Sequence, residues 1–330
     1  MTQSELTALT AALLAGRGFA HKRDISDVIG ALAQSLPGGA ADLTQAIAVG
    51  DDCAAIADGD GYLLLAIEGF VDDFVQQMPW FAGYCGVMVN LSDIAAMGGR
   101  PIAVVDALWS DGMDPGAQVL QGMACASQRY GVPIVGGHTN NQSERGQLAV
   151  AILGRAKKLL TSFDARAGDV LVMAVDLRGA YQDDKPYWNA STEAPAERLR
   201  ANLELLPALA ESGLCDAAKD ISMAGAVGTA LMLLECSQVG AVIDIDAMPR
   251  PAGVPVLRWL QSFPSFGFIF SVRPDKVREV IHHFSSQEIA CAAIGEVNAS
   301  STLCLRDGEA SAQLWDWSTD AFICAPKPNN

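Results

Sequence analysis

Short apolar runs alternate with longer segments of helical period, and this alternation constrains the fold more than any other feature. Tyr62–Ile67, Ile102–Leu108, Ile134-Val135 and Leu148–Leu153 have strand length. Between them, Pro79–Met97 places Phe81, Tyr84, Met88, Leu91 and Ala95 at helical spacing. Gly116–Tyr130 predicts another helix, stopped by Gly131, the residue type that ends helices in a left-handed turn. The second half repeats the pattern. It has a buried strand at Asp169–Val175, helices over 196–212, 223–237, 255–262 and 274–286, and strands over 239–245, 266–272 and 291–297. Upstream, residues 4–36 read as a helix in two pieces broken around Gly16–Gly18, with Asp24 and Asp27 opening the second piece and Pro37-Gly38-Gly39 ending it. Such alternation predicts α/β layers. A linker at Lys157-Lys158 and the residues after it suggests two domains, 1–160 and 161–330.

Charge narrows the partners. The 330 residues carry 38 acidic and 22 basic side chains, a net charge of −16. The acidity is spread: the first 160 residues hold 16 acidic and 9 basic groups, the remainder 22 and 13. A phosphate backbone or an anionic membrane surface would be repelled, so nucleic-acid and membrane partners are not expected. No run reaches the ~18–20 apolar residues of a membrane span. Glu5 before the apolar Leu6–Gly16 run gives the wrong charge order for a signal peptide. The eight scattered cysteines lack metal-ligand spacing and read as reduced thiols of a cytoplasmic protein. Asp outnumbers Glu 26 to 12. Asp suits caps, turns and hard-metal sites.

Five clusters carry chemistry. In Gly50-Asp51-Asp52, adjacent carboxylates repel, and a divalent cation would relieve them; a solvated turn is the plainer reading. Glu68 closes the Tyr62–Ile67 strand, and strand ends are where α/β sites gather. Asn90 and Asp93 are three apart on the apolar helix, so both project from one face, and a buried Asp needs a partner, a metal or a proton. In Val135-Gly136-Gly137-His138-Thr139, a strand running into Gly-Gly exposes backbone N–H groups suited to a phosphate oxygen. His138 is there a candidate acid or base, or a hydrogen-bonded structural residue. Asp220-Ile221-Ser222 precedes the 223–237 helix and serves either as its N-cap or beside an anion that Gly225 lets approach.

The ordered set resembles the PurM-like superfamily of aminoimidazole ribonucleotide (AIR) synthase, thiamine-monophosphate kinase, selenophosphate synthetase and the maturation protein HypE. Asn90–Pro101 is close to that family's N-x-S-D-x-A-A-M-G-x-x-P stretch, Gly50–Ala55 to its G-D-D-A-A, Gly136–Thr139 to its G-G-H-T or G-G-D-T, and Asp220–Ser222 to the opening of D-I-S-D-G. Overall character resembles the AIR synthase-related branch. The resemblance implies an α/β (α+β) two-domain fold whose N-terminal mixed sheet forms a barrel between the subunits of a homodimer. It implies ATP and Mg²⁺ as cofactors, with Asp51, Asp52, Glu68, Asp93 and Asp220 as metal ligands. Asn90, Gly136, Gly137, Thr139, Ser222 and Gly225 would contact nucleotide, and His138 and Asp52 would take part in catalysis. The chain departs from the pattern at Glu68, where the family has Asp, and at Met223-Ala224, where the kinase has Asp-Gly. The implied activity is phosphoryl transfer to, or ATP-driven activation of, a small metabolite. The alternatives are a non-catalytic nucleotide-binding subunit and a thiamine-monophosphate kinase. The polar and aromatic stretch Gly179–Pro195 is the candidate substrate loop.

Overall fold

The computed structural model describes residues 1–25, 28, 51–70 and 72–324. The expected features at Asp27, Pro37-Gly38-Gly39 and Gly50 lie outside the described residues. In chain order the elements are α1 (Gln3–Leu14), α2 (Arg17–Lys22), β1 (Ala54–Asp58), β2 (Gly61–Phe70), α3 (Asp72–Gln77), α4 (Pro79–Ala96), β3 (Arg100–Asp111), α5 (Met113–Tyr130), β4 (Ile134–Asn140), β5 (Gln142–Ala156), β6 (Val170–Val175), β7 (Ala180–Tyr181) and β8 (Tyr187–Asn189). They continue with α6 (Ala196–Ser212), β9 (Ala217–Asp220), α7 (Gly225–Ser237), β10 (Gly240–Asp244), α8 (Val256–Leu260), β11 (Phe263–Pro264), β12 (Gly267–Val272), α9 (Val277–Ser285), β13 (Ala290–Asn298), β14 (Thr302–Asp307) and β15 (Ala310–Asp316). Two compact units result. One comprises Asp52–Leu159 and Ser191–Glu211; the other takes Met1–Asp51, Leu160–Ala190 and the chain from Ser212 onward. Two segments therefore cross the division expected at residue 160.

The 52–159 unit is built on a five-stranded sheet of order β1-β2-β5-β3-β4. Its neighbours are antiparallel except β3 and β4, which run parallel. Period-two alternation gives the sheet two unlike faces. Leu64, Ala66, Val104, Leu108, Leu148, Val150 and Ile152 are buried on one. Helix α4 is apolar on nearly every side, which requires burial, and it packs between this face and α5. Pro79 suits its first turn, where a missing N–H costs nothing. On the opposite face Ile56, Leu65, Ile67, Val105 and Leu153 remain 37–68% exposed. Ser191 holds the second segment, its hydroxyl 2.6 Å from the Tyr84 hydroxyl and 2.7 Å from that of Tyr130. Arg200 donates to the carbonyls of Gln128 and Arg129, capping α5.

The other unit carries a seven-stranded sheet, β15-β14-β10-β13-β6-β12-β9. Strand β12 is buried along its whole length. One of its faces packs Ile269 into a core with Leu171, Met173, Val227, Leu231 and Trp259. On the other, Phe268, Phe270 and Phe284 stack in sequence. The stretch expected to be an irregular substrate loop instead forms a small sheet, β11-β8-β7. Trp188 is buried there, donates its indole N–H to the Asp176 carbonyl at 3.0 Å, and meets Trp259 edge-on. Beyond β15 the chain returns to α7. Phe322 packs against Phe19 and Trp315, and the buried carboxylate of Glu235 accepts the backbone N–H groups of Phe322, Ile323 and Cys324. Among the described residues, no helix is long and apolar enough to cross a membrane.

Candidate metal and nucleotide site

In the 52–159 unit the site starts from α4. Burial of the helix takes Asn90 and Asp93 with it, at 0% and 7% exposure. The Asn90 amide donates to the Gly86 carbonyl at 2.8 Å, one turn back. Its Oδ1 is buried and has no hydrogen-bond partner among the described residues. Asp52, just ahead of β1, brings a carboxylate oxygen within 4.8 Å of one from Asp93. Two anionic oxygens at that separation repel unless a cation or a proton lies near. Hard oxygen donors of this kind fit Mg²⁺.

Register then extends the site across the sheet. Glu68 on β2 stands opposite Val150 on β5, Val150 opposite Asp106 on β3, and Asp106 opposite Gly137 on β4. All four therefore share the helix-covered face. The Asp106 Oδ2 atom is buried without a partner among the described residues, and burial raises its carboxyl above the ordinary carboxylate range. Gly137 is required beside it, because a Cβ there would stand 2.3 Å from Asp106 Oδ1. Thr139 pairs with Leu108 on the same face, while His138 pairs with Ala107 and so points to the other. The His138 ring lies 6.3 Å from that of Trp109. Gly136–Thr139, expected to leave the strand, continues β4 along the sheet edge. Sequence reading missed Asp106, although an Asp inside the apolar Ile102–Leu108 run was a usable signal.

The other unit holds the remaining candidates. Asp51 diverges from Asp52. Its buried carboxylate accepts the Ser162 backbone N–H at 2.8 Å and the Ser162 hydroxyl at 2.6 Å, and it lies 3.9 Å from the buried Lys219 ammonium. Asp220 is buried at the end of β9. The Thr229 hydroxyl donates to the Asp220 carbonyl and accepts the Ser222 N–H, both at 3.3 Å, so it pins the loop containing Ser222. Neither Asp220 nor Ser222 caps α7; the cap position is Ala224, without a side-chain bond. Gly225 adopts φ +68°, and a Cβ there would fall 1.9 Å from the Leu260 carbonyl oxygen. The close approach it permits is to protein backbone.

The AIR synthase related protein family matches with its N-terminal domain over residues 50–156 and its C-terminal domain over 167–307. A protein of Synechocystis described only as uncharacterised is 50% identical over 312 residues, covering 94% of this chain and 96% of its own length. The chain belongs to the AIR synthase related family.

Within that family and its superfamily, the thiamine-monophosphate kinase of Pyrococcus abyssi is 29% identical over 287 residues, 81% of this chain and 88% of the kinase. Among solved structures, T. maritima PurL complexed with ADP superposes with a TM-score of 0.71 at 19% identity. That match covers 88% of this chain but about half (49%) of PurL. The fold is thus the PurM-like α+β arrangement, two units each carrying a sheet. The family's N-terminal match contains Asp52, Glu68, Asn90, Asp93, Asp106 and Gly137, and its C-terminal match contains Lys219 and Asp220.

Proposed function

We propose that this AIR synthase-related protein is an ATP- and Mg²⁺-dependent enzyme that transfers a phosphoryl group to, or activates through ATP, a small metabolite. The observation that carries the reading is the Asp52–Asp93 carboxylate pair beside the buried, unpartnered Asn90 oxygen. Asp52 and Asp93 would hold Mg²⁺, with Glu68 on the same unit as a further oxygen donor. When bound, the ion neutralises phosphate charge, which is most of what phosphoryl transfer requires. Asn90 orients phosphate or the metal's hydration shell, and Gly136, Gly137 and Thr139 offer an open strand edge. Asp220 and Ser222 are proposed as nucleotide or metal contacts, and Asp51 as a buried anchor of Lys219. A cytoplasmic homodimer is proposed, in keeping with the free cysteines of the described residues and the apolar outer sheet face.

The test is thermal stabilisation by ATP, ADP and AMPPCP, with and without Mg²⁺. A ligand that binds only the native state raises the melting temperature. Stabilisation by nucleotide that requires Mg²⁺ and is lost in Asp93→Asn supports the assignment. Stabilisation that survives in Asp93→Asn overturns it. His138 is tested separately, because it stands on the opposite face of β4. A fall in kcat in His138→Gln with Mg²⁺-dependent stabilisation unchanged would support the catalytic role, and an unchanged kcat would overturn it. The kinship with a thiamine-monophosphate kinase makes thiamine monophosphate the first acceptor to assay.

A further inference from the structure

Two cysteines far apart in sequence meet at the end of α7. Cys236 and Cys324 are separated by 88 residues, yet their Sγ atoms lie 3.8 Å apart. Both are half-buried, whereas Cys53, Cys85 and Cys215 are buried. Their proximity is built in. Glu235, the residue before Cys236, accepts the Cys324 N–H at 3.3 Å and those of Phe322 and Ile323 at 2.7 and 2.8 Å. The same carboxylate therefore fixes both cysteine backbones relative to each other. The hydrogen bond between the thiols, followed by burial, holds Cys236 well above the usual thiol range. A disulfide needs the sulfurs at ~2.0 Å. Cys324 lies beyond β15 and outside any helix or strand, so its side chain can make the approach.

We propose that Cys236 and Cys324 form a reversible intramolecular disulfide under peroxide, a modification site that fastens the segment after β15 to α7. The chemistry balances in two steps. One thiol reduces hydrogen peroxide, becoming a sulfenic acid and releasing water. The second thiol's sulfur then attacks the sulfenic sulfur, forming the S–S bond as a second water leaves with the thiol's proton. In total, two thiols are oxidised by two electrons and one peroxide is reduced to two waters. The cross-link closes a loop of 88 residues and restricts the unfolded chain, so the oxidised protein should melt at higher temperature than the reduced one.

The experiment treats the reduced full-length protein with hydrogen peroxide and reads intact mass, a non-reducing peptide map and the melting curve. The expected result is a loss of ~2 Da reversed by dithiothreitol, a peptide joining Cys236 to Cys324, and a raised melting temperature. Cys236→Ser and Cys324→Ser should each abolish the mass loss. The wild-type map decides the matter even if a variant folds poorly. Oxygen adducts on either cysteine without a cross-link would overturn the proposal, as would a different pair in the map or a covalent dimer on a non-reducing gel.

Discussion

Asp106 shows what a single carboxylate does when a sheet folds around it. Its strand is apolar because a helix layer covers that face, and the carboxyl is carried inside with one oxygen unpartnered among the described residues. Burial raises its pKa. A raised carboxyl contributes stability below its unfolded value of about 4, and that contribution is lost as pH climbs through the folded value. At neutral pH the charged form therefore works against the fold. Asp106→Asn, close in shape, should raise the melting temperature at pH 7, with the gain shrinking as pH falls towards about 4. Melting curves across pH check this. Asp51 and Lys219 answer the same problem differently, each buried beside an opposite charge. The sequence made Asn90 and Asp93 legible, because polar residues on an apolar helix stand out. It did not separate Asp51 from Asp52. Adjacent carboxylates look alike until the partner of each is known, and Ser162 and Lys219 lie more than a hundred residues away.

At the level of elements, the long segments were readable and the short ones were not. Helix α4 matched its expected span to within one residue, as a strongly periodic apolar run should. Strand β9 has four residues, too few for a period, and it is recognisable only through its pairing with β12. The β14–β15 hairpin carried a usable mark, Asp307-Gly308 between alternating residues, with Gly308 at φ +56°. The 179–195 stretch looked irregular because its two strands are only two and three residues long, and they are fixed by pairing with residues 263–264 and by burying Trp188, neither of which is local. The Glu235 clamp is an element-scale device of the same kind. Glu235→Ala strands three backbone donors, so it should cost about 2–4 kcal/mol. Chemical denaturation measures that loss. Limited proteolysis should show earlier cutting near residues 317–324, while α7 itself stays helical.

At the scale of the whole molecule, α/β layering was legible from alternation, and the family resemblance supplied the two-domain plan. Segment exchange was not legible, because nothing in residues 191–211 announces that Ser191 will bond Tyr84 and Tyr130. The outer face of the five-stranded sheet bears directly on assembly. Burying exposed apolar side chains against a second copy yields roughly 25 cal/mol per Å², and a dimer through this face would exploit Leu65 and Ile67, 49% and 68% exposed. Ile67→Asp should shift the protein to monomer in light scattering after size exclusion, with the melting of the monomer little changed, since that side chain contacts solvent in the single chain.

That open face also sets a hazard during biosynthesis and refolding. In the single chain this apolar sheet face is open, and other chains can stick to it. The main force keeping such encounters apart is mutual repulsion between molecules of net charge −16. Dissolved salt weakens that repulsion and leaves the stickiness intact. The protein's acidity therefore opposes sticking through that face, and this protection weakens first in brine.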